Sequence, residues 1–266
     1  MRARLNGVEI AYDDTGDGLP VVLIHGFPLD RTMWAEQTPA LAGAARLVVP
    51  DLRGFGESEA PAGPCKMETY AEDIRALLDH VHVDRAVIAG ISMGGYVAFA
   101  FARLFPKRLR ALILCDTKAA ADSPEARAGR AEMAELARAK GAVAVAEKML
   151  LKMLAPETPK LRPDLAEAAA AMMGRAPVHG IVGALHAIAH RADSTPILSE
   201  IACPVLFVVG EHDAITPPDE AAGVVARLRN ARLVVVRDAG HLSPLENPSA
   251  VNSAMAEFLG EVAAAR

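Results

Sequence analysis

Short apolar runs recur along the chain and alternate with stretches in which the apolar residues have helical spacing. Six of these runs predict strands, namely Val21–Ile24, Arg46–Pro50, Arg85–Gly90, Leu109–Cys115, Val205–Gly210 and Ala231–Arg237. Strands that alternate with helices form a largely parallel sheet that is covered by helices on both faces. The pattern therefore predicts an α/β fold built on one central sheet.

Two local signals refine this pattern near the N-terminus. The dipeptide Asn6-Gly7 separates the runs Arg2–Leu5 and Val8–Tyr12, which predicts a hairpin with a tight turn. The segment Thr69–His80 has helical periodicity, and its Thr69 and Glu72 have the spacing of a capping box. We therefore expect a hairpin before the first parallel strand and a capped helix that starts at Thr69.

The sequence Gly90-Ile91-Ser92-Met93-Gly94 joins a predicted strand to a predicted helix that runs to Pro106. A serine between two glycines at a sharp strand-to-helix turn is the nucleophile elbow, G-x-S-x-G. The turn leaves the hydroxyl clear of the sheet and places the Met93 N–H at a helix N-terminus, where an oxyanion is stabilised. We predict that Ser92 is a nucleophile and that the Met93 N–H is an oxyanion donor.

A serine hydroxyl needs a base to accept its proton and an acid to orient that base. His241 follows the strand-like run Ala231–Arg237 on a glycine-containing loop, and Asp213 follows the run Val205–Gly210. Both positions lie beyond the carboxyl ends of strands, where open parallel sheets bind ligands. The chain order Ser92, Asp213, His241 is the order expected of the α/β-hydrolase fold.

The chain resembles the α/β-hydrolase superfamily over essentially its whole length. The resemblance rests on five motifs in the expected order: His25-Gly26-Phe27-Pro28, Asp51–Ser58, Gly90–Gly95, Gly210–Asp213 and Gly240-His241. Within the superfamily, the stretches Asp213–Pro218 and Ala239–Pro248 resemble bacterial carboxylesterases and enol-lactone hydrolases such as 3-oxoadipate enol-lactonase.

This resemblance implies a catalytic triad of Ser92, Asp213 and His241, and no metal or organic cofactor. It also implies that the Phe27 N–H is the second oxyanion donor. Because some members of the superfamily carry the acid after the strand Leu109–Cys115, Asp116 is the rival acid. Asp51 is a third choice for the catalytic acid, and His25 is expected to join loops by hydrogen bonds.

Residues 118–195 contain no strand pattern and at least three helical segments, which start near Ser123-Pro124, Pro163-Asp164 and Pro177-Val178. Each start is expected to place a proline in the first turn, where its missing N–H has no cost. We predict a core domain of residues 1–117 and 196–266, with an all-helical cap of residues 118–195 inserted after the sixth strand. The cap is rich in methionine, which suits an adaptable apolar acyl pocket, although most methionines are expected to fill its own core.

Composition excludes several other classes of protein. Apolar residues make up 52% of the 266 positions, but no apolar run reaches the length of a membrane span. The net charge of −5, without long charge blocks, disfavours nucleic-acid binding. Three cysteines without metal-like spacing argue against a disulfide framework, and the N-terminus lacks the apolar core of a signal peptide, so we expect a cytoplasmic protein.

Together these features predict a serine hydrolase for esters of short to medium acyl chain, with a small-molecule ester or lactone as substrate. An enol-lactone or C–C bond hydrolase would use the same triad, but it would need cap groups such as Arg130, Arg175 or Arg191 to bind a substrate carboxylate. We interpret these arginines as helix-surface charges. A non-enzymatic or slow-turnover signalling receptor on this fold can also keep the triad. A haloalkane dehalogenase is excluded, since its nucleophile is a carboxylate.

His186 and His190, four residues apart with His179 before them, are expected to be exposed or packed in the cap rather than to bind a metal.

Overall fold

The computed structural model describes residues 1–265, and one eight-stranded sheet forms its centre. The strands are β1 (Arg2–Leu5), β2 (Val8–Thr15), β3 (Leu19–Ile24), β4 (Ala45–Pro50), β5 (Ala86–Ile91), β6 (Leu109–Cys115), β7 (Val205–Gly210) and β8 (Ala231–Val236). Their order in the sheet is β1-β2-β4-β3-β5-β6-β7-β8. Strand β2 is antiparallel to β1 and β4, while the pairs from β4 through β8 are all parallel.

Helices connect the strands and cover both faces of the sheet. They are α1 (Gln37–Leu41), α2 (Met67–His80), α3 (Met93–Leu104), α4 (Pro124–Met153), α5 (Thr158–Leu161), α6 (Pro163–Gly174), α7 (Val178–Ala189), α8 (Pro218–Val225), α9 (Ser243–Glu246) and α10 (Pro248–Ala264). Short 3₁₀ helices lie at Arg31–Trp34, Pro106–Arg108 and Thr195–Glu200. Within residues 1–265, none of these helices combines the length and the apolar character that crossing a bilayer requires.

The alternation of side chains along the buried strands explains how the sheet joins its two helical layers. In β3, Val22 and Ile24 belong to one apolar cluster together with residues of α2 and α3. Val21 and Leu23 of the same strand belong to a second cluster together with residues of α10. Because successive side chains of a strand point to opposite faces, a fully apolar run is buried on both sides. The predicted parallel sheet with helices on both faces is confirmed.

The start of α2 differs from the prediction. The helix begins at Met67 after the extended residue Lys66, and no side chain caps it. The N–H of Thr69 already donates to the Lys66 carbonyl, so Thr69 is the third helical residue and lies too late to act as a cap. The capping box of Thr69 and Glu72 was therefore wrong, because the spacing alone does not say where a helix begins.

The other local signals can be compared with the structure residue by residue. Asn6 and Gly7 both have positive φ, 46° and 83°, as the tight turn between β1 and β2 requires. Pro124 and Pro163 are the first residues of their helices, whereas Pro177 is the N-cap of α7 and precedes its first turn. The expectation of a first-turn proline was thus wrong for Pro177.

The helices that follow β6 pack on one another and on the loops at the carboxyl edge of the sheet. Helix α4 packs against α6 and α7, and it bends at Gly141, where φ is 79°. At Gly180 of α7, an added Cβ would lie 1.7 Å from the Gly54 carbonyl oxygen. Since such an approach leaves no room for a side chain, α7 lies directly on the loop that follows β4.

Candidate active site

Ser92 occupies the turn between β5 and α3 with positive φ, 51°, and ψ of −112°. The glycines on either side have a steric explanation. An added Cβ at Gly90 would lie 2.2 Å from the Gly94 carbonyl oxygen, and one at Gly94 would lie 2.3 Å from the Ile24 carbonyl oxygen. Larger residues therefore could not form this turn. A strained backbone of this kind is a feature of functional sites.

Three side chains from separate loops form one chain of hydrogen bonds. The Ser92 hydroxyl donates to Nε2 of His241 over 2.8 Å, and Nδ1 of His241 donates to Oδ2 of Asp213 over 2.8 Å. His241 is 1% exposed and Asp213 is 3% exposed, so this pair is shielded from water, while Ser92 is partly exposed. The structure thus brings together the three residues to which the sequence assigned a triad.

Asp213 is held by its own loop as well as by His241. Its Oδ1 accepts the N–H groups of Ile215 and Thr216, at 2.8 and 2.9 Å. Burial opposes ionisation of Asp213, but the hydrogen bond and charge of His241, together with the bonds from Thr216, outweigh it and place the pKa of Asp213 below its ordinary value. The carboxylate is therefore ionised at neutral pH and can orient the imidazole.

Thr216 is a site residue that the sequence reasoning missed. It is fully buried, its hydroxyl donates to Oδ2 of Asp213 over 2.6 Å, and its Oγ1 lies 3.3 Å from Nδ1 of His241. A threonine three residues after an aspartate has the spacing of a local side-chain-to-backbone turn, and this signal could have pointed to it. Thr216 fixes the carboxylate oxygen that faces His241.

The two amides with the predicted oxyanion role lie beside Ser92. Met93 is the first residue of α3, and Phe27 follows Gly26, whose added Cβ would lie 3.5 Å from Cβ of Ser92. Within residues 1–265, neither the Phe27 N–H nor the Met93 N–H donates to a protein acceptor. Unpaired buried amides are uncommon in proteins, and here they remain free to bind a ligand oxygen.

The other candidate acids and bases hold loops. His25 is fully buried, with Nε2 accepting the Leu52 N–H over 3.0 Å and Nδ1 donating to the Gly26 carbonyl over 2.9 Å. Burial lowers the pKa of His25, against the opposing effect of Asp51 and neighbouring groups, so its imidazole is neutral. Asp51 accepts the N–H groups of Arg31 and Glu57, over 2.7 and 2.8 Å, rather than a bond from His241.

Asp116 also lies away from His241. Its carboxyl group accepts hydrogen bonds from the Gly210 N–H and from the N–H and hydroxyl of Ser243. Of the two acids that follow neighbouring strands, the structure places only Asp213 against the imidazole.

The three arginines that the sequence analysis placed in a cap, Arg130, Arg175 and Arg191, each have a carboxylate partner. Arg130 and Arg191 both pair with Asp122, and Arg175 pairs with Asp30. The interpretation as surface charge is wrong for Arg191, whose side chain is only 3% exposed and stacks over the Tyr96 ring at 4.1 Å. The periodicity of α7 did not reveal this, because Arg191 lies just past the end of the helix.

His186 of α7 and His190, which directly follows this helix, lie beside one another. The rings of His186 and His190 stack at 4.2 Å, and Nδ1 of His186 lies 3.0 Å from the Cys65 carbonyl oxygen. Within residues 1–265, the group of three side chains whose ligand atoms come within 4.8 Å is Glu211, His212 and Asp238, and all three are exposed. Neither group includes a member of the hydrogen-bonded chain at Ser92.

A groove of about 780 Å³ runs between α4 and α7 beside the loop at Gly63. Its lining includes His179, His186 and His190 but none of Ser92, Asp213 and His241. The groove is therefore separate from the hydrogen-bonded chain.

Comparison with known proteins identifies the fold. The family model of the alpha/beta hydrolase fold matches residues 20–248, which include Ser92, Asp213 and His241. A 3-oxoadipate enol-lactonase from Acinetobacter baylyi is 30% identical over 235 residues, which cover 88% of this chain and 86% of the relative.

Two solved structures are similar over almost their whole length. A thermophilic esterase from Thermogutta terrifontis, solved with malate bound, is 44% identical with a TM-score of 0.96, and the match covers 98% of this chain and 99% of that one. An enol-lactonase from Burkholderia xenovorans LB400 is 30% identical with a TM-score of 0.92, over 98% of this chain and 100% of that one. With its sheet order, its elbow at Ser92 and a family match over most of its length, the chain belongs to the alpha/beta hydrolase fold family.

Proposed function

We propose that this protein is a serine hydrolase that cleaves carboxylic esters of short to medium acyl chain through an acyl-enzyme. The observation that carries this proposal is the chain of hydrogen bonds from Ser92 through His241 to Asp213. A serine activated in this way, beside two free amides, suits attack on an acyl carbonyl. The 44% identity to a thermophilic esterase supports the choice of esters.

In the first half of the reaction, Oγ of Ser92 attacks the ester carbonyl while Nε2 of His241 takes its proton. Asp213 holds the imidazole in the tautomer with a proton on Nδ1 and stabilises the imidazolium that forms. The tetrahedral oxyanion accepts hydrogen bonds from the Phe27 and Met93 N–H groups, and the N-terminal end of the α3 dipole adds to this stabilisation. His241 then returns its proton to the leaving alkoxide, and the alcohol departs.

In the second half, the same groups act on water. His241 removes a proton from a water molecule as its oxygen attacks the acyl-enzyme carbonyl, and the same two amides bind the second oxyanion. Collapse of this intermediate breaks the bond to Oγ of Ser92, and the proton on His241 returns to the serine. The products are a carboxylic acid and an alcohol, and each step is completed by this chain's own residues and water.

The helices of residues 118–195 act in this proposal as a cap over the site. They touch the loop of the proposed base, because an added Cβ at Gly240 would lie 2.5 Å from the Ala155 nitrogen. Met153 and Met173 are at most 1% exposed, so they fill the packed interior beneath the cap. Met149 is partly buried against both apolar clusters.

The second candidate is an enol-lactonase that uses the same triad, because two similar proteins carry that name at 30% identity. A lactone that bears a carboxylate would need a cationic partner in the site. Arg130, Arg175 and Arg191 already pair with aspartates, which favours the simple ester over this alternative. A slow-turnover receptor with the same triad would bind ligand but turn over once or slowly.

The test compares kcat/KM for p-nitrophenyl acetate, butyrate, octanoate and palmitate with that for an enol-lactone. Each methylene that is buried contributes about 0.8 kcal/mol, so kcat/KM should rise several-fold per carbon until the pocket is full, and then flatten or fall. Ser92→Ala should lower ester hydrolysis by roughly 10⁴-fold or more in a folded protein, since the nucleophile is lost. Highest activity on palmitate or on the lactone would contradict the short-chain ester proposal, and a tenth of the activity in Ser92→Ala would contradict the mechanism.

A further inference from the structure

Asp116 is a buried acid for which the mechanism above has no use. It is the first residue after β6, its exposure is 0%, and its φ of 44° lies in the left-handed region that non-glycine residues avoid. Within residues 1–265, no lysine, arginine or histidine forms an ion pair with it. An unpaired buried acid in a strained backbone lowers stability, so its retention calls for an explanation in terms of the site.

The carboxyl group of Asp116 bridges two loops of the proposed triad. Its Oδ1 accepts the Gly210 N–H over 2.8 Å, at the end of β7 and three residues before Asp213. Its Oδ2 accepts the Ser243 N–H over 3.1 Å and the Ser243 hydroxyl over 2.6 Å, two residues after His241. One side chain therefore holds the loop of the acid and the loop of the base at a fixed separation.

The residues on either side of Asp116 hold the third loop. The Cys115 carbonyl accepts the Ser92 N–H over 2.9 Å, and the Thr117 hydroxyl donates to the Ser92 carbonyl over 2.8 Å. Thr117 is fully buried, and an added Cβ at Gly95 would lie 2.4 Å from its Oγ1. Residues 115–117 thus touch the loops of Ser92, Asp213 and His241 at once, and Asp116 lies at the centre of this junction.

The electrostatic surroundings agree with a role for Asp116 that does not depend on charge. Burial raises the pKa of Asp116, and the nearby negative charge of Asp213 raises this pKa further, against the lowering effect of the bonds from Ser243 and Gly210. A second carboxylate charge beside Asp213 would compete for the imidazolium, whereas a hydrogen-bonding group without charge does not.

We propose that Asp116 is a positioning residue that sets the relative placement of the Ser92, Asp213 and His241 loops through its hydrogen bonds to Gly210 and Ser243. The proposal rests on the proposed function, in which these three residues form the triad. It predicts an effect on the chemical step rather than on substrate binding, because Asp116 touches the loops and not the substrate. A displacement of about 1 Å in such a constellation can lower the rate roughly 100-fold.

The experiment uses Asp116→Asn, Ser243→Ala, the double variant and a matched control, Asp73→Asn. Asparagine keeps an acceptor for Gly210 but turns its NH₂ group toward the Ser243 N–H. Ser243→Ala removes only the hydroxyl donor. Because it is the milder change, it tests the proposal if Asp116→Asn does not fold. Asp73 is 3% exposed and bonds to Arg53 and Asn6, so its variant reports the loss of a buried carboxylate elsewhere.

Three readouts separate positioning from stability: kcat and KM for p-nitrophenyl butyrate, the rate at which a fluorophosphonate labels Ser92, and the downfield proton NMR signal of the His241 Nδ1–H. For Asp116→Asn we expect kcat to fall about 10- to 100-fold, KM to change less than about threefold, labelling to slow and the NMR signal to shift or broaden. Ser243→Ala should show a smaller loss in the same direction. The kcat of the double variant should be within about twofold of the kcat of Asp116→Asn, because both single changes disrupt the same contact between Asp116 and Ser243.

Asp73→Asn should lower the melting temperature and leave labelling and the NMR signal unchanged. The positioning proposal is overturned if Asp116→Asn behaves like Asp73→Asn, or if its KM rises while kcat is kept. It is also overturned if the two single effects add fully in the double variant. Failure of the proposed function would give a different result, namely ester hydrolysis that persists in Ser92→Ala. The NMR signal of His241 reports the placement of its ring whether or not the proposed function is correct.

Discussion

At the residue scale, the carboxylate of Asp213 has four donors within hydrogen-bonding distance. They are the amides of Ile215 and Thr216, the hydroxyl of Thr216 and Nδ1 of His241. This many donors fixes the position of both carboxylate oxygens and keeps them ionised despite burial. In the proposed mechanism, the side chain can therefore fix the tautomer and the ring orientation of His241 without changing its own conformation.

Asp213→Asn should lower kcat by roughly 10⁴-fold while the protein stays folded, because an amide neither stabilises the imidazolium nor keeps the productive tautomer. The measurement is kcat on p-nitrophenyl butyrate with circular dichroism as the check on folding. Asp116→Asn is the comparison and should lose far less activity. A larger loss in Asp116→Asn than in Asp213→Asn would show that the acid lies after β6.

Thr216→Val should lower kcat by about tenfold with little change in KM, since the substitution keeps the shape but removes the donor to Oδ2 of Asp213. Thr195→Val is the matched control, because the Thr195 hydroxyl makes the same kind of bond to an exposed aspartate, Asp193. Steady-state kinetics of both variants make the test. Equal kcat values for the two variants would show that Thr216 has no part in orienting Asp213.

At the scale of elements, the helical insertion is tied to the loop of His241 by one side chain. Oε1 of Glu246 accepts the Ala155 N–H over 2.7 Å and the Thr158 hydroxyl over 2.6 Å. Oε2 of the same residue accepts the Gly240 N–H over 2.7 Å. Because Gly240 directly precedes His241, the carboxylate couples the position of the segment between α4 and α6 to the proposed base.

Glu246→Ala should raise KM and lower kcat together, because it frees the cap segment at Ala155 and the loop at Gly240 in one step. We expect a combined loss of kcat/KM of about tenfold or more, since three hydrogen bonds to a charged group are lost. Glu157→Ala, an exposed glutamate beside Thr158 whose side chain caps nothing, is the control. Unchanged kinetics in Glu246→Ala would show that the cap and the loop move independently of this contact.

At the scale of the whole molecule, a buried ion pair joins the two ends of the helical segment from α4 to α7. Asp122 lies just before α4 and Arg191 just after α7, and their side chains are 1% and 3% exposed and lie 2.7 Å apart. Burial opposes the charge on Asp122, but Arg191 and Arg130 outweigh it and lower the pKa of Asp122 below its ordinary value. Arg191 also stacks over Tyr96 of α3, so the ion pair contacts the helix that follows Ser92.

Asp122→Asn should lower the melting temperature at pH 7, because it leaves Arg191 buried without its ionised partner. A carboxyl group whose pKa is lower in the folded state stabilises it above the ordinary pKa, and this stabilisation is lost as the pH falls through the folded-state pKa. The difference in melting temperature between the wild-type protein and Asp122→Asn should therefore narrow as the pH falls below about 4.

The check is a series of thermal unfolding curves from pH 7 to pH 3 for both proteins. Asp164→Asn, which removes an exposed carboxylate 3.6 Å from Arg162, should match the wild-type protein throughout. A difference between Asp122→Asn and the wild-type protein that stays constant at all pH values would show that the charge of Asp122 does not contribute to folding.

The features that the sequence determined are those set by local chemistry. Apolar runs predict the buried strands because a strand covered on both faces has no polar position, and most of the predicted bounds lie within two residues of those in the structure. The elbow could be predicted because the turn at Ser92 leaves no room for side chains at Gly90 and Gly94, so this turn requires glycine at both positions. The positions of Asp213 and His241 were predicted because each comes in the loop that follows a strand, and the carboxyl ends of parallel strands meet at one edge.

Only the tertiary structure decided which groups face each other across that edge. Asp116 and Asp213 follow neighbouring strands, and the expected chain order favours Asp213 over its rival. The paths of the two loops then direct Asp213 to His241 and Asp116 to Ser243. The burial of Arg191 and the double contact of Glu246 likewise join residues that lie 69 and 91 positions apart. Distances of this kind depend on how helices and loops pack, and no local pattern of residues encodes them.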